Sequence, residues 1–159
     1  MYLMWKLWIT CFCFAGSSAT NFSLGDLGTK QITKSDGTTY IAWDITNVTS
    51  VARMFAQAGE DATQWNIGDL SGWNTANIEN MESMFLNIAT QVTGDTEFSL
   101  GDLSKWDTSK VQNMKEMFNW TAPKAEWSLD LSGWQVPLVT VYDDFNKGVE
   151  SKVVAPKFN

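Results

Sequence analysis

The chain has 159 residues and is 44% hydrophobic, enough for one domain with a sizeable core and too apolar for a wholly disordered polymer. Its formal charge of −7, with nine acidic residues against Arg53 alone between Asp44 and Asp102, repels phosphate backbones and argues against a nucleic-acid partner. There is no histidine, and Cys11 and Cys13 stand one residue apart, so the sequence offers neither a zinc cluster nor a disulfide framework.

Residues 1–19 admit two readings. One is a secretory signal, with Lys6, an apolar run from Leu7 to Ala15 and small residues up to Ala19. The other is an eroded first half coil of a repeat. An offset of 43 residues lays Trp5, Trp8, Cys11 and Phe12 on Val48, Val51, Met54 and Phe55, and Ala19 to Phe22 on Ala62 to Trp65. The apolar run is shorter than the ~20 residues of a membrane span, so no transmembrane segment is expected.

From residue 28 to 42 the register is interrupted, since Leu27 and Trp43 are 16 residues apart where Leu70 and Trp73 are three apart. Gln31-Ile32-Thr33 and Thr39-Tyr40-Ile41 around Asp36-Gly37 predict a small hairpin, and repeat arrays place such insertions at coil corners, often on the binding face.

Tryptophans then recur at 43, 73, 106 and 134, with periods of 30, 33 and 28 residues. Apolar residues follow at fixed intervals: Val48, Val51, Met54, Phe55; Ile78, Met81, Met84, Phe85; Val111, Met114, Met117, Phe118. Spacings of three, three and one predict one stripe of a short helix. Asp44, Asn74 and Asp107 supply oxygens for its first amides, Ser109 and Gln112 fit a capping box, and Pro137 suits the first turn of a weaker last helix.

Phe22-Ser23-Leu24, Trp65-Asn66-Ile67, Phe98-Ser99-Leu100 and Trp127-Ser128-Leu129 alternate apolar and polar residues and read as strands. Three of them run into Gly-Asp-Leu, where the glycine marks a corner with positive φ. The expected fold is an α/β solenoid of about four coils over residues 20–148, each a short strand plus a short helix on a parallel strand ladder. Residues 149–159 are left as a tail or cap.

The run Trp106 to Phe118, preceded by Asp102-Leu103-Ser104, with copies at 70–85 and 43–55, resembles the repeat of BspA-like leucine-rich-repeat surface proteins, including mycoplasma-type surface lipoproteins. The resemblance implies an LRR-like solenoid, an extracellular or cell-surface module for protein binding or adhesion to a host-surface ligand, with no catalytic residues. Cys11 follows Trp8-Ile9-Thr10 rather than the small residues of a lipid-attachment site, and no wall-anchoring tail is evident.

Periodicity assigns Trp73, Trp106, Met81, Met84, Phe85, Val111, Met114, Met117 and Phe118 to the core. Candidate binding residues are Asp36 and Tyr40 in the excursion and the non-periodic Trp120, the last also carrying the alternative of a carbohydrate-binding module. Asp26, Asp69, Asp102 and Asp130 recur at one place in the coil; they read as turn caps, with a calcium ladder as the rival. No enzyme, cofactor or metal site is expected, because no nucleophile-base pair, phosphate loop or singled-out carboxylate pair is present. The sequons at Asn21, Asn47 and Asn119 carry little weight by themselves. An uncapped Trp5-Trp8-Phe12 surface predicts self-association.

Overall fold

The computed structural model describes residues 12–25, 27–28, 31–41, 43–94 and 98–159. Trp5, Trp8, Cys11, Asp26 and Ala42 lie outside them, and so do the first five residues of the signal-like run and most of the proposed uncapped surface.

The expected coils of strand plus helix do not form. Among the described residues there is no α-helix, and the one helical element is a 3-10 turn at Leu103–Lys105. The stripe residues instead make consecutive tight turns: Met54, Ala56 and Ala58 donate to the carbonyls of Val51, Arg53 and Phe55 at 3.1, 3.2 and 2.8 Å. The amides between them leave the copy altogether. Val51, Arg53, Phe55 and Gln57 donate to Asn80, Glu82, Met84 and Leu86 at 2.8–3.0 Å. Met81, Ser83, Phe85 and Asn87 then donate to Asn113, Lys115, Met117 and Asn119, and Met114, Glu116, Phe118 and Trp120 to Val141, Asp143, Phe145 and Lys147.

Spacing explains the choice. Packed helices need 8–10 Å between axes. Here the rings Phe12, Phe55, Phe85, Phe118 and Phe145 follow one another at centroid distances of 5.4–5.7 Å. A helix on every copy would force that ladder apart. The turns carry a cost, since Arg53, Ser83 and Glu116 sit at φ 59°, 51° and 55°, and Gln57, Asn87 and Trp120 at 57°, 52° and 54°. Left-handed backbone costs roughly 1–2 kcal/mol per non-glycine residue. Each of these residues donates a rung worth about 0.5–1.5 kcal/mol, and each buried Met or Phe between them adds roughly 1.5–3 kcal/mol, so burial decides the balance.

The anticipated helix caps serve turns. Asp44, Asn74 and Asp107 accept from the amides of Thr46, Ala76 and Ser109 at 2.9, 3.2 and 3.0 Å. The Ser109–Gln112 capping box is absent because Gln112 N–H goes to Glu79 O in the neighbouring copy at 2.8 Å. Pro137 likewise opens no helix.

On the opposite side, β1 (Asn21–Ser23) pairs in parallel with β4 (Gln64–Asn66), Phe22 facing Trp65. β2 (Gln31–Thr33) and β3 (Thr39–Ile41) form an antiparallel hairpin on their own. β5 (Leu129–Asp130) pairs in parallel with β6 (Val153–Val154) in the tail. The single four-stranded ladder expected from the sequence is therefore two separate pairs. Phe98–Leu100 is not a strand, although its ring continues the stack Phe22, Trp65, Phe98, Trp127 at 5.1–6.1 Å.

Between the two sides the tryptophans tie the copies together. Trp73, Trp106 and Trp134 stack at 6.2 and 6.3 Å, and their indole N–H groups donate to Leu27, Leu70 and Leu103 carbonyls of the preceding copy at 2.8, 3.0 and 2.9 Å. A buried indole is stable only with such an acceptor. Met81, Met84, Phe85, Val111, Met114, Met117 and Phe118 are fully buried, and Trp73 and Trp106 nearly so. The glycines of the Gly-Asp-Leu corners take φ 73° at Gly25, 79° at Gly68 and 80° at Gly101.

Candidate interaction surfaces

The hairpin β2–β3 is exposed at every residue from Gln31 to Thr39. Its turn is rigid: Lys34 N–H donates to Thr38 O at 2.8 Å, and Asp36 Oδ1 accepts both the amide and the hydroxyl of Thr38 at 2.9 and 2.6 Å. The Thr38 hydroxyl, and then its amide, hold the Asp36 carboxyl below the ordinary aspartate range. Tyr40 has its backbone paired with Ile32.

Trp120 lies far from the hairpin in sequence and belongs to the turn run of the third copy. It is 49% exposed, and its ring lies over Gly148, where an added Cβ would come within 2.8–3.1 Å of the indole. Gly148 thus leaves the space in which the ring rests. Among the described residues no hydrogen bond or ring contact joins Asp36 to Trp120.

Three of the four recurring aspartates, those within the described residues, cap turns. Asp69, Asp102 and Asp130 accept through Oδ1 from the amides of Ser71, Ser104 and Ser132 at 2.8, 3.0 and 2.9 Å. The Ser104 and Ser132 hydroxyls, with these amides, lower the Asp102 and Asp130 carboxyls from their usual values. Asp69 also packs against Gly101, where a side chain would collide with its carboxylate. Two open grooves follow this row: about 280 Å³ between Asn66, Asp69 and Ser99, and about 470 Å³ between Asp102, Ser128 and Asp130. Among the described residues no three His, Cys, Asp or Glu side chains converge as a metal site.

The face over the turn rungs is polar and largely self-satisfied. Asn80 and Asn113 accept from the amides of Glu82 and Lys115 at 2.9 and 3.0 Å, and Asn113 Nδ2 donates to Glu82 Oε2 at 3.1 Å. Arg53 reaches Glu82 at 3.7 Å, an exposed ion pair worth about 0–1 kcal/mol. The buried Ser83 hydroxyl donates to Glu116 at 3.1 Å. Of the sequons, Asn21 and Asn47 are exposed, whereas Asn119 is only 7% exposed and faces inward in the folded chain.

Sequence reasoning missed the left-handed positions. One signal was available: they hold Arg53, Ser83, Glu116 and Asp144 in one row and Gln57, Asn87, Trp120 and Gly148 in the other, with no β-branched residue, the class that positive φ excludes most strongly.

No helix among the described residues is long and apolar enough to cross a membrane. No curated protein matches the chain, and no solved structure does. A family model described as "Mycoplasma protein of unknown function, DUF285" matches residues 33–96 and again residues 87–151. Two matches in tandem cover most of the chain and the same copies that the rungs connect, and the chain belongs to the DUF285 repeat family.

Proposed function

We propose that the chain is a non-catalytic binding module, displayed outside the cell or on its surface, which captures a protein ligand. The observation that carries this reading is the β2–β3 hairpin, a two-stranded sheet exposed from Gln31 to Thr39. The copies behind it use their backbone groups and most recurring polar side chains to hold one another, so they serve as a rigid support. An exposed hairpin with a fixed Asp36–Thr38 turn is a pre-organised recognition element, which lowers the entropic cost of binding. The BspA-like resemblance of the repeat supports surface display and adhesion.

The test is adhesion of bead-bound chain to cultured host cells and to immobilised extracellular-matrix proteins, comparing wild type with Asp36→Ala, Tyr40→Ala and a variant whose residues 31–41 are replaced by a short Gly-Ser linker. The reading expects capture by wild type and at least a tenfold loss in the linker variant with an unchanged melting midpoint. Equal capture by both would overturn the hairpin as the site.

Half-exposed Trp120 over Gly148 favours a second reading, carbohydrate binding by ring stacking. A glycan array probed with wild type and Trp120→Ala decides it, because this reading requires signal in the first and its loss in the second.

A further inference from the structure

The β2–β3 hairpin carries two sets of backbone groups. In an antiparallel pair, residues that bond each other alternate with residues whose N–H and C=O turn away from the partner strand. Lys34 N–H donates to Thr38 O at 2.8 Å, and the register continues through Thr33 with Thr39, Ile32 with Tyr40 and Gln31 with Ile41. Ile32 and Tyr40 therefore bond each other, while the N–H and C=O of Gln31 and Thr33 point out along the outer side of β2. Apart from the hairpin's own pairing, no described residue bonds to them.

Gln31, Ile32 and Thr33 are all exposed, Ile32 at 36%. The strand holds no proline, bulge or charge of its own, the usual devices that blunt such an edge. A lone two-stranded hairpin is only marginally stable in water, and a third strand stabilises it. The outward groups of Gln31 and Thr33 lie about 6.8 Å apart, so a partner must offer donors and acceptors alternating at that interval. A helix spends those groups on itself, which leaves extended backbone as the occupant.

Charge selects which extended segment fits. In the sequence β2 is flanked by Lys30 and Lys34, and residues 28–42 hold these two lysines against Asp36 alone. Charges beyond about 8 Å are screened at physiological ionic strength, so these neighbours outweigh the formal charge of −7 on the whole chain. Like charges opposite one another in adjacent strands destabilise the pair, so a second β2 with the same lysines is a poor partner. We infer that the outer edge of β2 takes up, as a third strand, an extended acidic segment of a partner protein. Two carboxylates bracket three uncharged residues of that segment, with a β-branched residue opposite Ile32. This inference rests on the reading of the hairpin as the recognition element and names what the hairpin recognises.

The experiment titrates the full chain with two capped synthetic peptides, Glu-Thr-Val-Thr-Glu and Lys-Thr-Val-Thr-Lys, and follows the backbone amides by NMR. The acidic peptide is expected to shift the Gln31 and Thr33 amides, slow their exchange and bind at least fivefold tighter than the basic one. Lys34→Glu should reverse that preference. Thr33→Pro removes an amide that the hairpin itself does not use, and should weaken the acidic peptide at least fivefold with an unchanged melting midpoint. Equal or tighter binding of the basic peptide by wild type overturns the inference, as do shifts confined to residues outside the hairpin or undiminished binding by Thr33→Pro. Host-cell capture that the Gly-Ser linker variant loses and Thr33→Pro keeps leaves the hairpin as the site and overturns the edge alone.

Discussion

Trp106 and Trp134 begin copies with the same run of turns, and both indoles donate to a leucine carbonyl of the copy before. In the third copy Met114 is fully buried and Asn113 caps the amide of Lys115; in the fourth, the same two places hold Tyr142, which is 39% exposed, and Val141, which caps nothing. One pattern thus has two stabilities. What buries an apolar residue of this repeat is the copy on either side of it, so a residue in the middle of the stack is held twice and its counterpart at the end once.

The sharpest way to break this contrast is to place the same charge at both positions. Met114→Asp buries an unpaired carboxylate in the stack, a cost comparable to the ~5–15 kcal/mol that stabilises a whole domain, and should abolish the cooperative thermal transition. Tyr142→Asp should lose only the ring contact with Phe158, about 1 kcal/mol, and unfold cooperatively with a slightly lower midpoint. Equal effects by calorimetry would mean that the two copies are not distinguished by their neighbours.

A smaller difference separates the glycines that precede the two copies. Gly101 has φ 80°, and a Cβ there meets the Asp69 carboxylate, so Gly101→Ala should cost at least about 1–2 kcal/mol in a denaturant titration. Gly133 has open space around it, and Gly133→Ala should be neutral or gain up to ~1 kcal/mol.

Acid sharpens the comparison least. The Ser109 hydroxyl, then its amide, lowers the Asp107 carboxyl in the third copy, where the fourth has the uncharged Gln135. A carboxyl with a depressed folded pKa binds its proton more readily when unfolded. Its stabilisation is therefore present above the unfolded value near 3.8 and is lost as pH falls through the folded value. The melting midpoint should drop below about pH 4 in wild type, and less steeply in Asp107→Asn, which keeps the turn cap as Asn74 does.

Much of this was legible in the residues. The 43-residue offset that lays Phe22 on Trp65 is the pairing of β1 with β4. The glycines before Asp69 and Asp102 mark positive-φ corners, and the hairpin turn falls at Asp36-Gly37. Such features depend on neighbours along the chain or on the bare repetition of a pattern, and both are written in one dimension. The helix was misread because apolar spacings of three, three and one suit a helical stripe and a run of tight turns equally well.

The sequence by itself determined which residues face the core and where the copies begin, since the cost of exposing Met81, Met114 or Phe118 is the same in either backbone. Only the tertiary structure decided where the amides go. A helix satisfies each amide four residues back, whereas here every second amide finds its carbonyl in the next copy, about 30 residues away, at the close spacing that the stacked rings impose. That partner is invisible to any local window. Among the described residues the amides of Tyr142, Asp144, Asn146 and Gly148 have no such partner, which comes into view only when the stack is assembled.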